Sequence, residues 1–403
     1  MNKNPAKTSL LLFVILYGTM FLFGFIENIK GVSYPMMKAE FAISYEQQGV
    51  MVSILTLSYV LFCLVGGILI GRYGVKKTFA AGFVLMVLGL GGAFLLPRFI
   101  SVAVALFLIS ASFGVFEVGI NAFATQIFIV RAALLMNLLH FFYGVGSSVS
   151  PRASGVVAVS MGWRQVYLLS IPLVLLFFIF SLFTRFPKPA PSEPGTGETT
   201  TSEPKRISFF TALKTPMVWV FAIVLGLMVS VEVSPGNWGA LYFQDVYHLD
   251  PKTSGAAFLS NFYIFFTVSR LVSGFVIEKI GYLRSLFIFI LLSALVLVLG
   301  FALGARGIYV LPVMGFFVAV LWPTTMATAM GYFREDAAVM TSAIIVISGI
   351  LNSGIQMLIG YVNRAAGPAW GLRSCLVYSV LAIIGLIVLV RRMHSPYKKE
   401  PDC

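Results

Sequence analysis

The segment GGILIGRYGVKKT, residues 66–78, ends a long apolar run with a glycine turn and a cluster of basic residues. A second segment, SGFVIEKIGYLRS, residues 273–285, repeats this plan later in the chain. Aligning the two places Gly74 opposite Gly281 and a basic residue opposite a basic residue. Glycine suits a tight turn after a helix because it adopts positive φ without steric cost. The two segments therefore predict a chain built from two similar halves.

The composition places both segments in a membrane protein. Of the 403 residues, 59% are hydrophobic and 11% are charged, whereas a soluble domain is about one quarter charged. The apolar residues come in blocks, and a bilayer core about 30 Å thick needs roughly 20 apolar residues per helix. The first block starts near the N-terminus and continues to about Lys30 with no small-residue cleavage site, so it predicts a spanning helix instead of a signal peptide.

Counting the apolar blocks predicts an all-α integral membrane protein with twelve transmembrane helices in two six-helix halves. The N-terminal half covers residues 1–185, and the C-terminal half with its short tail covers residues 215–403. Residues 186–214 between them are rich in Pro, Ser, Thr and Gly, which is typical of a flexible linker. The predicted helices cover residues 9–30, 46–71, 77–97, 99–128, 133–159, 164–185, 215–242, 251–278, 282–304, 307–332, 338–363 and 370–391.

The basic residues indicate the orientation of the chain. Most of the 28 Lys and Arg residues fall on one side, in the loops that hold both termini, the linker and the two glycine turns. Because cytoplasmic loops are enriched in Lys and Arg, both termini are expected in the cytoplasm and the chain in the inner cell membrane. The same distribution explains the net charge of +13 without a nucleic-acid partner. The three cysteines show neither metal-ligand spacing nor a disulfide framework.

The paired glycine turns resemble those of the major facilitator superfamily, and the resemblance covers the whole chain. The family's loop pattern G-x-L-x-D-R-x-G-x-K-K is matched by Gly67, Leu69, Arg72, Gly74 and Lys76. Gly71 stands at the acidic position of the first half, whereas the second half keeps an acid there, Glu278. The resemblance implies two halves that rock around a central cavity. It also implies a cytoplasmic gate that includes Arg72, Lys76 and Glu278. Arg270, at the inner end of the eighth helix, is interpreted as a structural partner for gate carboxylates such as Glu278 or Glu335.

Glu117 is the ionisable residue that lies deepest in an apolar run, GVFEVGINAFATQ, residues 114–126. Asn121 follows four residues later, so both side chains share one helical face. Ionisable groups inside spans are costly and usually functional, although Glu117 could simply stay protonated and hydrogen-bonded to a neighbouring helix. Because burial favours the neutral form of a carboxyl group, Glu117 could bind and release a proton as the cavity changes between wet and dry.

Two helix patterns resemble the fucose permease branch of sugar:proton symporters. The fourth-helix pattern E-x-x-x-N-x-F-x-T is matched by Glu117, Asn121, Phe123 and Thr125. The fifth helix contains MNLLHFFYGVGSSVSP, residues 136–151, and its matching positions are Asn137, His140, Gly144, Gly146 and Pro151. The resemblance implies that Glu117 couples the proton to transport.

Three further residues are candidates for proton coupling: Glu27, His140 and Glu232. Glu27 could instead be solvated near the outer mouth and paired with Lys30. An unperturbed imidazole titrates near neutral pH, so His140 could relay protons, bind substrate as a neutral ring, or merely pack. Glu232 precedes a Pro-Gly break in the seventh helix, and backbone groups freed by such a break could bind a ligand if they line a cavity.

Amides and aromatic rings in the spans are candidates for substrate binding, because sugars need paired hydrogen-bonding groups and aromatic faces. The candidates are Asn28, Asn121, Asn137, His140, Trp238, Asn261, Trp322, Asn352 and Gln356. The two tryptophans could equally belong to the interfacial aromatic belt. Arg152 is unexpected in the outer half of the fifth helix, where a small residue would favour close helix packing. It could snorkel outward, pair with a carboxylate, or be an engineered change that blocks one conformation.

These observations predict a secondary active transporter that works by alternating access as a monomer in the lipid bilayer, with a small-molecule substrate and without metal or cofactor. An enzyme is not indicated, since no nucleophile turn, metal ligand set or phosphate loop is present. Proton-coupled symport of a hydroxyl-rich solute such as a sugar is favoured. The alternative is a proton-coupled multidrug or metabolite exporter, because YGVGSSVSP, residues 143–151, also resembles the antiporter signature of exporters. A non-transporting sensor is disfavoured, and Na⁺ stays open as the coupling ion.

Overall fold

The structure, a computed structural model, describes residues 5–127, 132–184 and 209–394. The first half contains six helices, whose bounds are α1 Pro5–Asn28, α2 Lys30–Phe41, α3 Tyr45–Leu95, α4 Phe99–Ile127, α5 Ala132–Ser160 and α6 Trp163–Phe183. Most of the predicted linker lies outside the described residues. Its last part forms a short helix, α7 Phe209–Lys214.

The second half contains more numerous helical pieces because several spans are interrupted by short 3₁₀ or π-helical turns. Its α-helices are α8 Pro216–Ser234, α9 Ala240–Tyr247, α10 Ala256–Ile280, α11 Tyr282–Ala302, α12 Met314–Val318, α13 Leu321–Phe333, α14 Ala337–Ala366, α15 Pro368–Arg373 and α16 Cys375–His394. The π turns are Pro235–Gly239 and Pro251–Gly255, and the 3₁₀ turns are Gly304–Tyr309, Leu311–Val313 and Arg334–Asp336.

The helices account for twelve crossings of a bilayer, as the sequence predicts. Nine helical stretches in the described residues are long and apolar enough to span a membrane. Two of them, Tyr45–Leu95 with 51 residues and Gly304–Ala366 with 63 residues, are each long enough to cross twice, since a helix rises about 1.5 Å per residue. The 29-residue helix α5 provides the remaining crossing.

The two glycine turns have the backbone conformation that the sequence predicts. Gly74 adopts φ +80° and separates the two crossings of α3, and Gly281 adopts φ +93° between α10 and α11. The second crossing of α3 is tied to its neighbour at this level, because Lys76 Nζ donates a 2.6 Å hydrogen bond to the carbonyl of Leu182. We call the membrane side that holds these two turns the linker side, and the opposite side the far side.

Two predicted breaks are placed differently by the structure. The first span does not end near Lys30; α1 and α2 are separated only by Ile29, which keeps helical φ/ψ, and α2 continues through Pro35 to Phe41. Proline is tolerated there because neighbouring helices can satisfy the freed backbone groups in a membrane bundle. The Pro-Gly pair of the seventh span does not break its helix either. It forms the wide π turn Pro235–Gly239, which connects α8 directly to α9.

The two halves meet closely on the far side and separate on the linker side. A Cβ atom placed on Gly49 of α3 would lie 3.0 Å from the Cα of Gly360 in α14. On the linker side, a Cβ atom on Gly67 or on Gly274 would have no heavy atom within 4 Å. Among the described residues, the hydrogen bonds and ion pairs that join the halves lie on the far side, so this conformation is closed at the far side and open toward the linker side.

Polar contacts join the halves at the far side. The hydroxyl groups of Ser53 in α3 and Ser353 in α14 are 2.6 Å apart. The carboxylate of Asp245 in α9 accepts a 2.6 Å hydrogen bond from the Tyr45 hydroxyl and lies 3.5 Å from Lys38 Nζ. These contacts come from separate helix pairs, so several points along the far-side interface hold the halves together. We call this interface the seam.

Two arginines also cross this seam. Arg364 of α14 forms an ion pair with Glu46 of α3. Arg152 of α5 donates a 2.9 Å hydrogen bond to the side-chain oxygen of Asn261 in α10. This contact accounts for Arg152 in a helix where a small residue is expected, and it gives Asn261 a bridging position outside the central cavity.

Candidate functional site

A cavity of about 300 Å³ lies between the two halves. Both halves supply charged side chains to its wall, which are Glu27, Lys30, Glu117, Glu232 and Arg270. Of the other candidates predicted from the sequence, His140, Trp322 and Asn352 also line the cavity. The structure thus brings all four predicted proton-coupling residues and a part of the predicted substrate-binding set to one place.

Glu27, at the end of α1, is held by two partners. Its Oε2 accepts a 2.8 Å hydrogen bond from the hydroxyl of Tyr143 in α5, and its Oε1 lies 3.4 Å from Lys30 Nζ. The pairing with Lys30 expected from the sequence is therefore present, but the carboxylate faces the cavity instead of an outer mouth. The negative charge of Glu27 is thereby compensated within its own half.

Glu117, in the middle of α4, is bound to the amide one turn later. Asn121 Nδ2 donates to Glu117 Oε1 at 3.1 Å and to the Glu117 carbonyl at 2.8 Å. The shared helical face predicted from their spacing is thus present. Asn121 is not part of the cavity wall, so its observed role is to orient the Glu117 carboxyl group, which lines the cavity.

Arg270 in α10 lies in the cavity wall and not in a gate. Its guanidinium group stacks over the Phe266 ring, 4.6 Å from the ring centre. It lies within electrostatic range of Glu232, Tyr143 and Glu117. In the described residues no ion pair joins Arg270 to Glu278. The two residues lie on the same helix, α10, more than two helical turns apart, with Arg270 in the cavity wall and Glu278 near the linker-side end. Glu278 itself is exposed.

The other two predicted gate residues lie on the open linker side. The guanidinium of Arg72 lies 5.4 Å from the ring centre of the adjacent Tyr73, and Lys76 holds the carbonyl of Leu182 within its own half. Neither residue forms an ion pair in the described ranges, which is expected where the halves are apart.

Gln356 of α14 is the centre of a hydrogen-bond network inside the second half. Its Oε1 accepts from Trp238 Nε1 at 3.0 Å and from Asn237 Nδ2 at 3.1 Å. Its Nε2 donates at 3.3 Å to Ser234 and to Asn352. Trp238 is 1% exposed and Gln356 is fully buried. Trp238 and Gln356, both predicted to bind substrate, therefore lie behind the cavity wall, and Gln356 hydrogen-bonds to residues of it. Asn237 and Asn352 line the cavity instead.

The remaining predicted substrate residues lie elsewhere. Asn28 is buried and donates a 2.9 Å hydrogen bond to the carbonyl of Gly24 in its own helix. Asn261 holds Arg152 at the far-side seam. The side chains of Asn137 and Thr125 lie outside the described residues.

The cavity wall also contains four tyrosines that were not among the residues predicted from the sequence: Tyr34, Tyr59, Tyr143 and Tyr167. Tyr143 binds Glu27, and the Tyr167 hydroxyl lies 2.8 Å from the Ser33 hydroxyl. A phenol group buried in a span needs a hydrogen-bond partner, and that requirement could have identified tyrosines in mid-span as cavity residues.

Residues 16–355 match the family model described as Major Facilitator Superfamily. The chain belongs to the Major Facilitator Superfamily. It is 22% identical over 423 residues to the L-fucose-proton symporter of Escherichia coli K12, covering 95% of this chain and 94% of that protein. It is 25% identical over 220 residues to the hexuronate transporter of Bacillus subtilis 168, covering 52% of this chain and 51% of that protein.

Solved structures of this superfamily share the fold. A bacterial homologue of the human lysosomal transporter Spinster has a TM-score of 0.77 at 15% identity, covering 97% of this chain and 98% of that one. The Escherichia coli fucose:proton symporter FucP has a TM-score of 0.65 at 17% identity, covering 96% of this chain and 99% of that one. The protein is accordingly a multi-pass membrane transporter of the Major Facilitator Superfamily that acts on a small molecule, and not an enzyme.

Transporters of this kind expose a central site to one membrane side at a time. The five charged residues of the cavity lie at the place where such a site is expected, between a closed far side and an open linker side. Glu27, Lys30 and Glu117 belong to the first half, and Glu232 and Arg270 to the second half. Movement of the halves relative to each other would change the distances between these two groups.

Proposed function

We propose that this transporter is a proton-coupled symporter of a small, neutral, hydroxyl-rich solute such as a sugar, with Glu117 as the coupling group. The observation that carries the proposal is the position of Glu117 in the wall of a cavity shared by both halves, within electrostatic range of Arg270 in the opposite half. Its partner Asn121 is an amide and does not neutralise its charge. Glu117 is therefore available for a proton.

The coupling follows from electrostatics in a medium of low dielectric constant. When Glu117 is ionised, its charge attracts the Arg270 guanidinium and holds the halves together around the cavity. When Glu117 is protonated, this attraction is lost and the halves can move more freely. A proton bound on one side would thus accompany the access change of the sugar-loaded protein, and its release on the other side would let the empty protein return without a proton. We place the linker side in the cytoplasm in this scheme, in agreement with the distribution of basic residues.

The choice of substrate rests on the cavity chemistry and on one relative. The wall combines carboxyl, amide and tyrosine hydroxyl groups with the ring of Trp322, which suits a solute with many hydroxyl groups. The L-fucose-proton symporter matches nearly the full chain. A lipophilic drug would leave these polar groups without partners, and buried polar groups without partners are costly.

The test is substrate-induced proton movement in proteoliposomes that contain the full chain, in Na⁺-free and Na⁺-containing buffer. The panel comprises L-fucose, D-galactose, D-xylose, D-glucuronate and tetraphenylphosphonium. We expect a neutral sugar to cause proton uptake without Na⁺. Glu117→Gln should abolish this uptake and retain sugar counterflow, whereas Asp250→Asn, in an exposed turn outside the cavity, should change neither.

Two results would contradict the proposal. Proton movement with tetraphenylphosphonium and with none of the sugars would favour the exporter. Sugar uptake that requires Na⁺ and moves no protons would exclude proton coupling.

A further inference from the structure

The buried polar atoms of the cavity wall that lack a hydrogen-bond partner all belong to the second half, among the residues that the structure describes. They are Glu232 Oε2, Asn237 Oδ1 and Arg270 Nε. The carboxylates that the first half contributes are both hydrogen-bonded, Glu27 to Tyr143 and Glu117 to Asn121. The wall is therefore asymmetric. The carboxylates of the first half have hydrogen-bond partners, whereas two acceptor atoms and one donor atom of the second half have none.

We propose that Glu232, Asn237 and Arg270 form a hydroxyl-binding wall that holds the substrate in the second half, while proton coupling resides in Glu117 of the first half. This inference rests on the proposed sugar transport. It gives Glu232 and Arg270 roles that differ from the sequence expectation, where Glu232 is a coupling group and Arg270 belongs to a gate.

The free atoms match the chemistry of neighbouring sugar hydroxyls. A hydroxyl group both donates and accepts, so one hydroxyl can donate to Glu232 or Asn237 while another accepts from Arg270. A substrate carboxylate could accept from Arg270, but it would place its lone pairs beside the oxygen atoms of Glu232 and Asn237. The combination therefore favours hydroxyl groups of a neutral solute over an acid group.

Local structure fixes each of the three groups. Gln356 accepts from Asn237 Nδ2 and so turns the Asn237 carbonyl oxygen away from the network. The guanidinium of Arg270 is held against the Phe266 ring. The π turn Pro235–Gly239 begins three residues after Glu232, and a π turn brings residue i+5 closer to the face of residue i than an α-helix does. Glu232 and Asn237 are five residues apart, so this turn allows both to face the cavity.

The experiment measures sugar counterflow and proton movement in the same proteoliposomes, for Glu232→Gln, Asn237→Ala and Arg270→Lys. The controls are Asp250→Asn and Arg306→Lys, both at exposed turns outside the cavity. The sugars are L-fucose, D-galactose and D-xylose, together with the monodeoxy analogues of whichever is transported. Size-exclusion profiles and melting temperatures verify that each variant folds.

Each of the three variants should raise the half-saturation concentration by about tenfold or more, which is the usual effect of losing a buried hydrogen bond to a ligand. The number of protons per sugar at saturating sugar should stay at the wild-type value, because Glu117 is intact. Removing the sugar hydroxyl that a given side chain binds should weaken transport by the wild type and have little further effect on that variant.

Loss of proton movement in Glu232→Gln with an unchanged half-saturation concentration would overturn the inference and assign Glu232 to coupling. Unchanged kinetics in all three variants, with sugar transport by the wild type, would also overturn it and leave the proposed function intact. If the wild type transports none of the sugars, the proposed function fails, and the inference fails with it.

Discussion

Tyr45 and Asp245 are 200 residues apart in the chain, yet the tyrosine hydroxyl lies 2.6 Å from the aspartate carboxylate. Lys38 approaches the same carboxylate at 3.5 Å, and its ammonium group lies 4.4 Å from the centre of the Tyr45 ring. Lys38 and Tyr45 belong to the first half and Asp245 to the second. The contacts of Asp245 therefore join the two halves and stabilise the closed far side.

Asp245→Asn should shift the protein toward a conformation that is open on the far side. The change removes the charge that holds Lys38, and a partly exposed ion pair contributes about 1 kcal/mol or less. The population ratio should therefore change up to roughly fivefold. Double electron–electron resonance between spin labels at the exposed positions 39 and 365, in a background without native cysteines, measures the distance distribution.

Asp250→Asn is the matched control for this measurement, since Asp250 accepts from the Lys252 backbone within its own half. An equal shift in both variants would show that the effect is not specific to the contact between the halves.

A disulfide between positions 53 and 353 should lock the far side. The two serine hydroxyls are 2.6 Å apart, which is close to the separation of bonded sulfur atoms, about 2.05 Å. We expect Ser53→Cys with Ser353→Cys, in a background without native cysteines, to crosslink under mild oxidation. Transport should then stop and return on reduction. Each single variant serves as a control, and unimpaired transport by the fully crosslinked protein would contradict alternating access at this seam.

Gly146→Ala should destabilise the packing of α5 against α1. A Cβ atom at Gly146 would lie 2.1 Å from the backbone oxygen of Phe21, so the helices must move apart. Overpacking of this kind costs about 1–3 kcal/mol. The melting temperature in detergent should fall, whereas Gly91→Ala, where a Cβ atom meets nothing within 4 Å, should leave it unchanged.

Gln356→Leu should lower both stability and sugar affinity. The substitution leaves the buried Trp238 N–H without its acceptor, which costs about 1–3 kcal/mol, and it releases Asn237 from its fixed orientation. Thermal unfolding and the half-saturation concentration for counterflow measure the two effects. Met357→Leu, at the next and more exposed position, is the control. A stability loss without any change in affinity would separate the network from the substrate site.

The sequence predicted the features that depend on local chemistry. The lengths of the apolar blocks predicted twelve membrane crossings. Gly74 and Gly281 predicted turns with positive φ, and both residues adopt positive φ. The spacing of Glu117 and Asn121 predicted their contact. These features follow from residues close together in the chain, so one sequence is sufficient to predict them.

Features that depend on helix rotation and distant packing were not predictable from one sequence. Trp238 points into the second half because it lies in the π turn Pro235–Gly239, which changes the helical phase, and Gln356 of the distant helix α14 accepts its N–H. Arg270 lies in the cavity wall because α10 packs against α5, which no local pattern indicates. The seam contacts of Asp245 and Ser353 join residues 200 and 300 positions apart, and such pairs become visible only when both halves are folded.

The empty surroundings of Gly67 and Gly274 have a consequence for how variants of this protein are judged. In the present conformation a methyl group at either position touches nothing within 4 Å, so a stability screen would score these substitutions as harmless. When the linker side closes, the same surfaces are expected to approach the opposite half, and the added atoms would obstruct them. Variants at these two glycines should thus be expressed, folded and heat-resistant, and still be inactive. Only a screen that counts completed transport cycles would detect them.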